Sequence, residues 1–188
     1  VQHSNVDYHA DAVRWLVGRD AASVLEIGAG TGKLTAELLA QGHDVLATDP
    51  DERMLALLET RVPEARTAVA AAEDLPVEDR SVDVVVAAQA FHWFDHAVAL
   101  PEIARVLKPG GALALVWNHR DGRIPWVRRL GDLIGTQEQL ADPSELLAAS
   151  ELFEPTDAET FAMWQDINRD SIVDLVVSRS NVSTLDAE

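Results

Sequence analysis

Val24-Leu25-Glu26-Ile27-Gly28-Ala29-Gly30-Thr31-Gly32 is the stretch whose reading decides the fold. Its first four residues form a short apolar run closed by glycine, the pattern of a strand buried on both faces. Leu34, Leu38 and Leu39 then share one face of a helix predicted over 34–41, with Gly42 as its C-cap. Glycines between a strand and a helix let the backbone turn tightly and approach a ligand closely. A plain turn needs fewer than three alternating glycines, and it needs no acidic residue before them.

Working outward, β-branched runs alternate with helical periods. Asp44–Asp49 reads as a second strand, and Pro50 takes a first-turn position of a helix carrying Met54, Leu55, Leu57 and Leu58. Thr67–Val69 is a weak third strand. Asp83–Ala88 is a strong fourth strand, apolar on both faces as a central parallel strand requires. A helix over 96–107 stops at Lys108-Pro109-Gly110-Gly111, and 112–117 is a fifth strand. Helices are predicted over 125–140, 144–149 and 170–178, and a sixth strand over 160–164. This order predicts an α/β fold, a mainly parallel sheet covered by helices on both faces.

Composition narrows the function. The chain has 188 residues, enough for one domain, with 47% hydrophobic and 25% charged residues, enough for a packed core. Its 32 acidic against 15 basic residues give a net charge of −17, which repels phosphate backbones and anionic lipid heads. Nucleic acid and membrane surfaces are therefore not expected partners. The absence of cysteine excludes disulfides, Cys-ligated metals and a thiol nucleophile. No apolar run is long enough to span a bilayer and no signal peptide is visible, so the default compartment is the cytoplasm.

Three ligand chemistries compete for the glycine loop. A phosphate-binding P-loop fails twice, since Ile27 stands where its first glycine belongs and Leu34 where Ser or Thr belongs. A dinucleotide loop, G-x-G-x-x-G, is damaged by Lys33 in its last position. The third reading fits best: Glu26-x-Gly28-x-Gly30-x-Gly32 resembles the first motif of class I S-adenosylmethionine (SAM) methyltransferases. Asp49, 19 residues after Gly30, closes the second strand, where a carboxylate accepts hydrogen bonds from ribose hydroxyls. Ala71-Ala72-Glu73-Asp74-Leu75-Pro76 resembles the family's third-strand motif, Asp83 to Ala90 its fourth, and 107–111 its turn into the fifth strand. The likeness is nearest to small-molecule enzymes such as quinone-biosynthesis and trans-aconitate methyltransferases.

The resemblance implies a Rossmann-like three-layer sandwich and SAM as cofactor. It implies that Glu26 helps to position the methionine ammonium while Gly28, Ala29, Gly30 and Gly32 pack against the amino-acid part. Asp49 would hold the ribose, with Pro50 and Met54 beside the adenine. Many relatives carry Asp where this chain has Ala71, so adenine recognition falls to backbone groups around Ala72 and to Glu73, which reads equally well as a solvated loop residue. Gln89 sits at the carboxyl end of the fourth strand, and Lys108 reads as a helix C-terminal charge.

The acceptor side is expected in Ala90-Phe91-His92-Trp93-Phe94-Asp95-His96. His92 is the candidate general base because its ordinary pKa lies near neutrality; the alternative makes it a hydrogen-bonding neighbour of an aromatic core. Trp93 would wall the acceptor pocket. His92 and His96 are spaced i, i+4 beside Asp95, but the zinc-protease pattern is not met and no metal is expected. His119 and Arg120 follow the fifth strand, where Arg120 is placed to pair with an acceptor carboxylate or simply with solvent. Tyr8 is read as part of a lid over SAM.

The expected protein is a single methyltransferase domain over 1–188, with 118–155 covering a small-molecule acceptor. An NAD-dependent oxidoreductase and a non-catalytic SAM-binding protein stay open as alternatives. The family closes its sheet with an antiparallel sixth and seventh strand, and no seventh is visible here. The C-terminus is therefore expected to be incomplete.

Overall fold

A computed structural model describes residues 8–119, 121–134, 143–154 and 157–162. The chain runs α1 (Ala10–Val17), β1 (Ser23–Ile27), α2 (Lys33–Ala40), β2 (Asp44–Asp49), α3 (Glu52–Arg61), β3 (Arg66–Val69), β4 (Val82–Ala88), α4 (His96–Val106), β5 (Leu107–Val116), α5 (Pro125–Ile134) and α6 (Pro143–Ala149). Among the described residues the sheet has five strands in the order β3-β2-β1-β4-β5, all parallel.

Alternate strand residues feed the two faces of the sheet. Val24, Val45, Val84, Val86 and Ala114 meet Val13 of α1 and Leu34 and Leu38 of α2. Ala47 packs on the same side with Leu55 and Leu58 of α3. Leu25, Ile27, Val82 and Val85 turn the other way, against Ala99, Ile103 and Val106 of α4. The result is the expected helix–sheet–helix sandwich. Tyr8, the expected lid residue, is buried in the first of these cores instead.

Local chemistry sets the element ends. Gly42, at φ +88°, closes α2 in a Schellman motif: its N–H donates to the Leu39 carbonyl and that of His43 to the Leu38 carbonyl. Asp51 caps α3, its carboxylate accepting from the Arg53 N–H. Pro50 therefore lies before the cap, not in the first helical turn, because Asp51 satisfies the orphan amide that a proline there would remove.

Two further expectations are corrected. Leu107–Gly111 is not a free turn but the start of β5. Val82 pairs with Leu107 and Val84 with Ala112, so five steps of β5 span two steps of β4 in a bulge. A side chain at Gly111 would strike the Asp83 carbonyl at 2.8 Å, so only glycine follows that path. Lys108 is no helix-end charge, since its Nζ pairs with Asp83 Oδ1 at 2.8 Å. The sixth strand is absent at Thr160–Ala162, while Met163, Trp164 and the 170–178 helix lie outside the described residues. The helix predicted over 125–140 is described as α5 only to Ile134.

Described residues before 119, together with 143–154 and 157–161, form one compact unit; 119, 121–134 and 162 belong to a second. The expected 118–155 cover is thus divided between the two. Among the described residues no helix is long and apolar enough to cross a membrane.

Candidate active site

The strand order reverses between β1 and β4, and open α/β sheets bind ligands beyond the carboxyl ends of their strands at such a point. Two loops leave the sheet there: residues 28–32 after β1 and 89–95 after β4. They touch, because a Cβ on Gly28 would lie 2.5 Å from Ala90 Cβ. Gly28, Gly30 and Gly32 all have positive φ, at +70°, +54° and +78°. Gly30 differs from its neighbours in one respect: a Cβ there would meet nothing within 4 Å. Among the described residues no atom lies where a side chain at Gly30 would stand, which leaves a cradle of bare backbone.

Asp49 holds the cradle in place. Its Oδ2 accepts from the Gly30 N–H and its Oδ1 from the Asp51 N–H, each at 2.9 Å. A carboxylate has about four lone-pair positions, so two remain for another donor. The loop is also sewn to β2 by the Ala29 N–H donating to the Thr48 carbonyl at 2.9 Å.

Glu26 lies beneath the loop, 1% exposed. Thr35 Oγ1, itself buried on the first turn of α2, donates to Glu26 Oε2 at 2.6 Å. Burial disfavours the charged carboxylate and raises the Glu26 pKa to about 8; the Thr35 hydrogen bond works against this, and the charge of Asp49 adds to it. The Thr48 hydroxyl donates to the Glu26 carbonyl at 2.8 Å. Sequence reading missed Thr35, although a polar residue between Leu34 and Leu38 on a buried face was the available signal.

After β4 the chain makes a single 3₁₀ turn over Phe91–Trp93. Gln89 enters it with φ +58°, unusual for a side-chain-bearing residue, and its Nε2 donates to the Asn118 carbonyl at 3.2 Å. Phe91 is buried against Leu100 and Ala87, and its carbonyl bonds a ring nitrogen of His96 at 2.9 Å. Asp95 caps α4 through the Ala97 N–H. His96 and Asp95 are thereby committed locally, and among the described residues no three His, Cys, Asp or Glu side chains are grouped for a metal. His92 and Trp93 face outward; Trp93 is 75% exposed, with the two rings 5.0 Å apart. Partial desolvation lowers the His92 pKa, leaving a neutral imidazole at pH 7.

Four of the remaining expected residues, Pro50, Met54, Ala72 and Glu73, lie in the same unit as these loops. Met54 is 38% exposed on α3, and Pro50 is exposed before it. Ala72 is buried against Leu25 and Ile27. Glu73 Oε1 accepts from the Asp95 N–H at 2.8 Å. His119 belongs to the second unit, and Arg120 lies outside the described residues.

A parallel sheet with reversed strand order, a glycine cradle on its first strand and an acidic residue ending its second define a Rossmann-like SAM-dependent methyltransferase. Residues 25–115 match the family model for a methyltransferase domain. An uncharacterized methyltransferase of Mycobacterium tuberculosis is 43% identical over 182 residues, covering 96% of this chain and 74% of its own. A SAM-dependent methyltransferase from Methanosarcina mazei superposes with a TM-score of 0.51 at 26% identity, over 62% of this chain and 61% of that one. A putative methyltransferase from an antibiotic biosynthesis pathway of Anabaena variabilis gives 0.51 at 31% identity, over 61% and 46%. The chain belongs to the methyltransferase family, and its cofactor is SAM. The dinucleotide reading of the loop is thereby set aside.

The residues present suit that cofactor chemically. SAM carries no pyrophosphate, and its ammonium and sulfonium outweigh its single carboxylate, so acidic side chains beside the loop face less like charge than a dinucleotide would present. The open face at Gly30 and the spare acceptor positions of Asp49 match a ligand rich in hydroxyl and ammonium donors.

Proposed function

We propose that this methyltransferase acts on a small-molecule acceptor brought to the 3₁₀ turn after β4. The reading rests on one observation above all, the open backbone cradle at Gly30 anchored by Asp49. In this reading Gly28, Ala29, Gly30 and Gly32 hold the amino-acid end of the cofactor, with Glu26 beneath it. Asp49 accepts the ribose hydroxyls, and Met54 and the backbone at Ala72 flank the adenine. SAM supplies a methyl carbon made electrophilic by its sulfonium. The chain's part is to fix the acceptor in line and exclude water.

His92 and Trp93 are the outward side chains nearest in sequence to the end of β4. Trp93 offers an aromatic wall, and neutral His92 takes the acceptor's proton where the acceptor must lose one. Two relatives support a small acceptor by their names: a trans-aconitate 2-methyltransferase of Variovorax paradoxus, 33% identical over 66% of this chain, and a malonyl-[acyl-carrier protein] O-methyltransferase of Methylococcus capsulatus, 39% identical over 52%. Both names specify acceptors that bear a carboxylate, free in trans-aconitate and tethered to a carrier protein in the malonyl case, which makes small carboxylic acids the first panel to assay. The −17 net charge argues against nucleic acid as the acceptor.

Calorimetric titration with SAM, S-adenosylhomocysteine (SAH) and NAD tests the cofactor site. SAM and SAH bind and NAD does not; NAD binding without SAM overturns the reading. Asp49→Ala weakens SAM binding by roughly tenfold to a hundredfold, the usual worth of hydrogen bonds to a charged group. An unchanged affinity removes the ribose assignment.

A further inference from the structure

We propose that Glu73 is a positioning residue, a strut that ties the cofactor-side loop after β3 to the acceptor-side turn after β4. The inference rests on the proposed function of these two loops. Its geometry starts at Glu73 Oε1, which accepts from the Asp95 N–H at 2.8 Å across 22 residues of sequence. Asp95 is the N-cap of α4, so the bond fixes the point where the 3₁₀ turn becomes a helix. The same loop is fastened to α4 a second time, where Glu102 Oε1 accepts from the Leu75 N–H at 2.8 Å. Arg105 then donates to the Leu75 and Val77 carbonyls at 3.2 and 3.0 Å.

Behind the turn, the His96 ring bonds the Phe91 carbonyl, and the Phe91 and Phe94 rings meet edge to face at 5.7 Å. The turn's inner side is thus held by α4, and its outer side chains, His92 and Trp93, are left exposed. The bond from Glu73 is a direct hydrogen-bonded link from the loop carrying Ala72 to this turn, beside the packing of Phe94 on the core that includes Ala72 and Leu75. A ligand that orders 70–74 therefore also orders 91–95. The carboxylate acts through Asp95, not on the cofactor.

Hydrogen–deuterium exchange on wild type, Glu73→Ala and Glu73→Gln, each with and without SAH, tests this. Gln keeps an oxygen that accepts the Asp95 N–H, and Ala does not. In the free protein Glu73→Ala speeds exchange across 91–98 roughly tenfold, while β1 and β4 stay protected and Glu73→Gln behaves as wild type. SAH affinity of the Ala variant stays within about threefold of wild type. SAH slows exchange at 70–76 in all three proteins, and at 91–98 only in wild type and Glu73→Gln.

Unaltered exchange at 91–98 in Glu73→Ala overturns the strut. So does SAH affinity falling by more than about tenfold in that variant, which puts the carboxylate on the cofactor itself. A wild type that binds no SAH fails the proposed function and the coupling together, and the free-protein comparison still decides the positioning role on its own.

Discussion

Glu26 makes the stability of this protein depend on pH in a direction opposite to that of ordinary surface carboxylates. Its folded-state pKa, about 8, stands above the unfolded value of 4.5, and burial is the largest cause. Between those values the folded state keeps a proton that the unfolded chain has released. Stability therefore falls as pH rises through that window, by about 1.36 kcal/mol per unit at full difference. Integrated from pH 5 to pH 7, the loss is on the order of 2–3 kcal/mol.

Glu26→Gln removes the titration and keeps an oxygen for the Thr35 hydroxyl. Urea unfolding of both proteins without cofactor, at pH 5, 6 and 7, reads the difference by linear extrapolation. His43, whose pKa burial lowers, contributes the opposite slope as pH falls toward 6.5, but it is common to both proteins and cancels. The Gln variant gains roughly 2–3 kcal/mol on wild type between pH 5 and pH 7. A difference that stays constant within about 0.5 kcal/mol refutes the argument, because Glu26 then ionises as readily folded as unfolded.

Other outcomes follow from the same geometry. Gly28→Ala puts a methyl 2.5 Å from Ala90 Cβ at φ +70° and costs about 2–4 kcal/mol in urea unfolding. Gly30→Ala meets open space, so it costs only about 1–2 kcal/mol for its positive φ yet abolishes SAM binding by calorimetry. Arg105→Ala strips the Leu75 and Val77 carbonyls and Glu102 of a shared donor and costs about 1–3 kcal/mol. Arg105 holds the Glu102 pKa low, so this contribution is present above pH 4.5 and is lost as pH falls below it; urea midpoints at pH 3.5 and 6 show the loss. With an identified acceptor, His92→Ala lowers kcat and removes an acidic limb lying below pH 6.5 from the rate profile; equal turnover removes the general-base role.

The legible parts of this site are those in which one residue answers to its own backbone. Gly28, Gly30 and Gly32 are glycine because each sits at positive φ, and alternation in sequence displays that directly. Asp49 was legible because a strand end and an acidic residue coincide. Thr35, Ala90 and the bond from Glu73 to Asp95 were not, since each depends on how two distant elements are rotated against one another. The Lys108–Gly111 stretch was misread for a related reason. Pro-Gly-Gly signals a turn by local preference, but the β4–β5 pairing imposes strand geometry on it, with Asp83 accepting Lys108 on the way.

This division has a functional consequence. The backbone-dictated residues, the three glycines and Asp49, lie at the carboxyl ends of β1 and β2, where the proposed cofactor site sits. Of the residues whose placement depends on packing, Ala90 and Asp95 lie after β4, where Gln89 is held at φ +58° and Trp93 stands 75% exposed. A loop fixed by glycines tolerates little change without losing the cofactor. A turn fixed by α4, Glu73 and His96 keeps its path while its outward side chains vary. Under the proposed function, exchanging the side chains at 92 and 93 therefore changes the acceptor preference before it changes SAM affinity, and at small cost to stability.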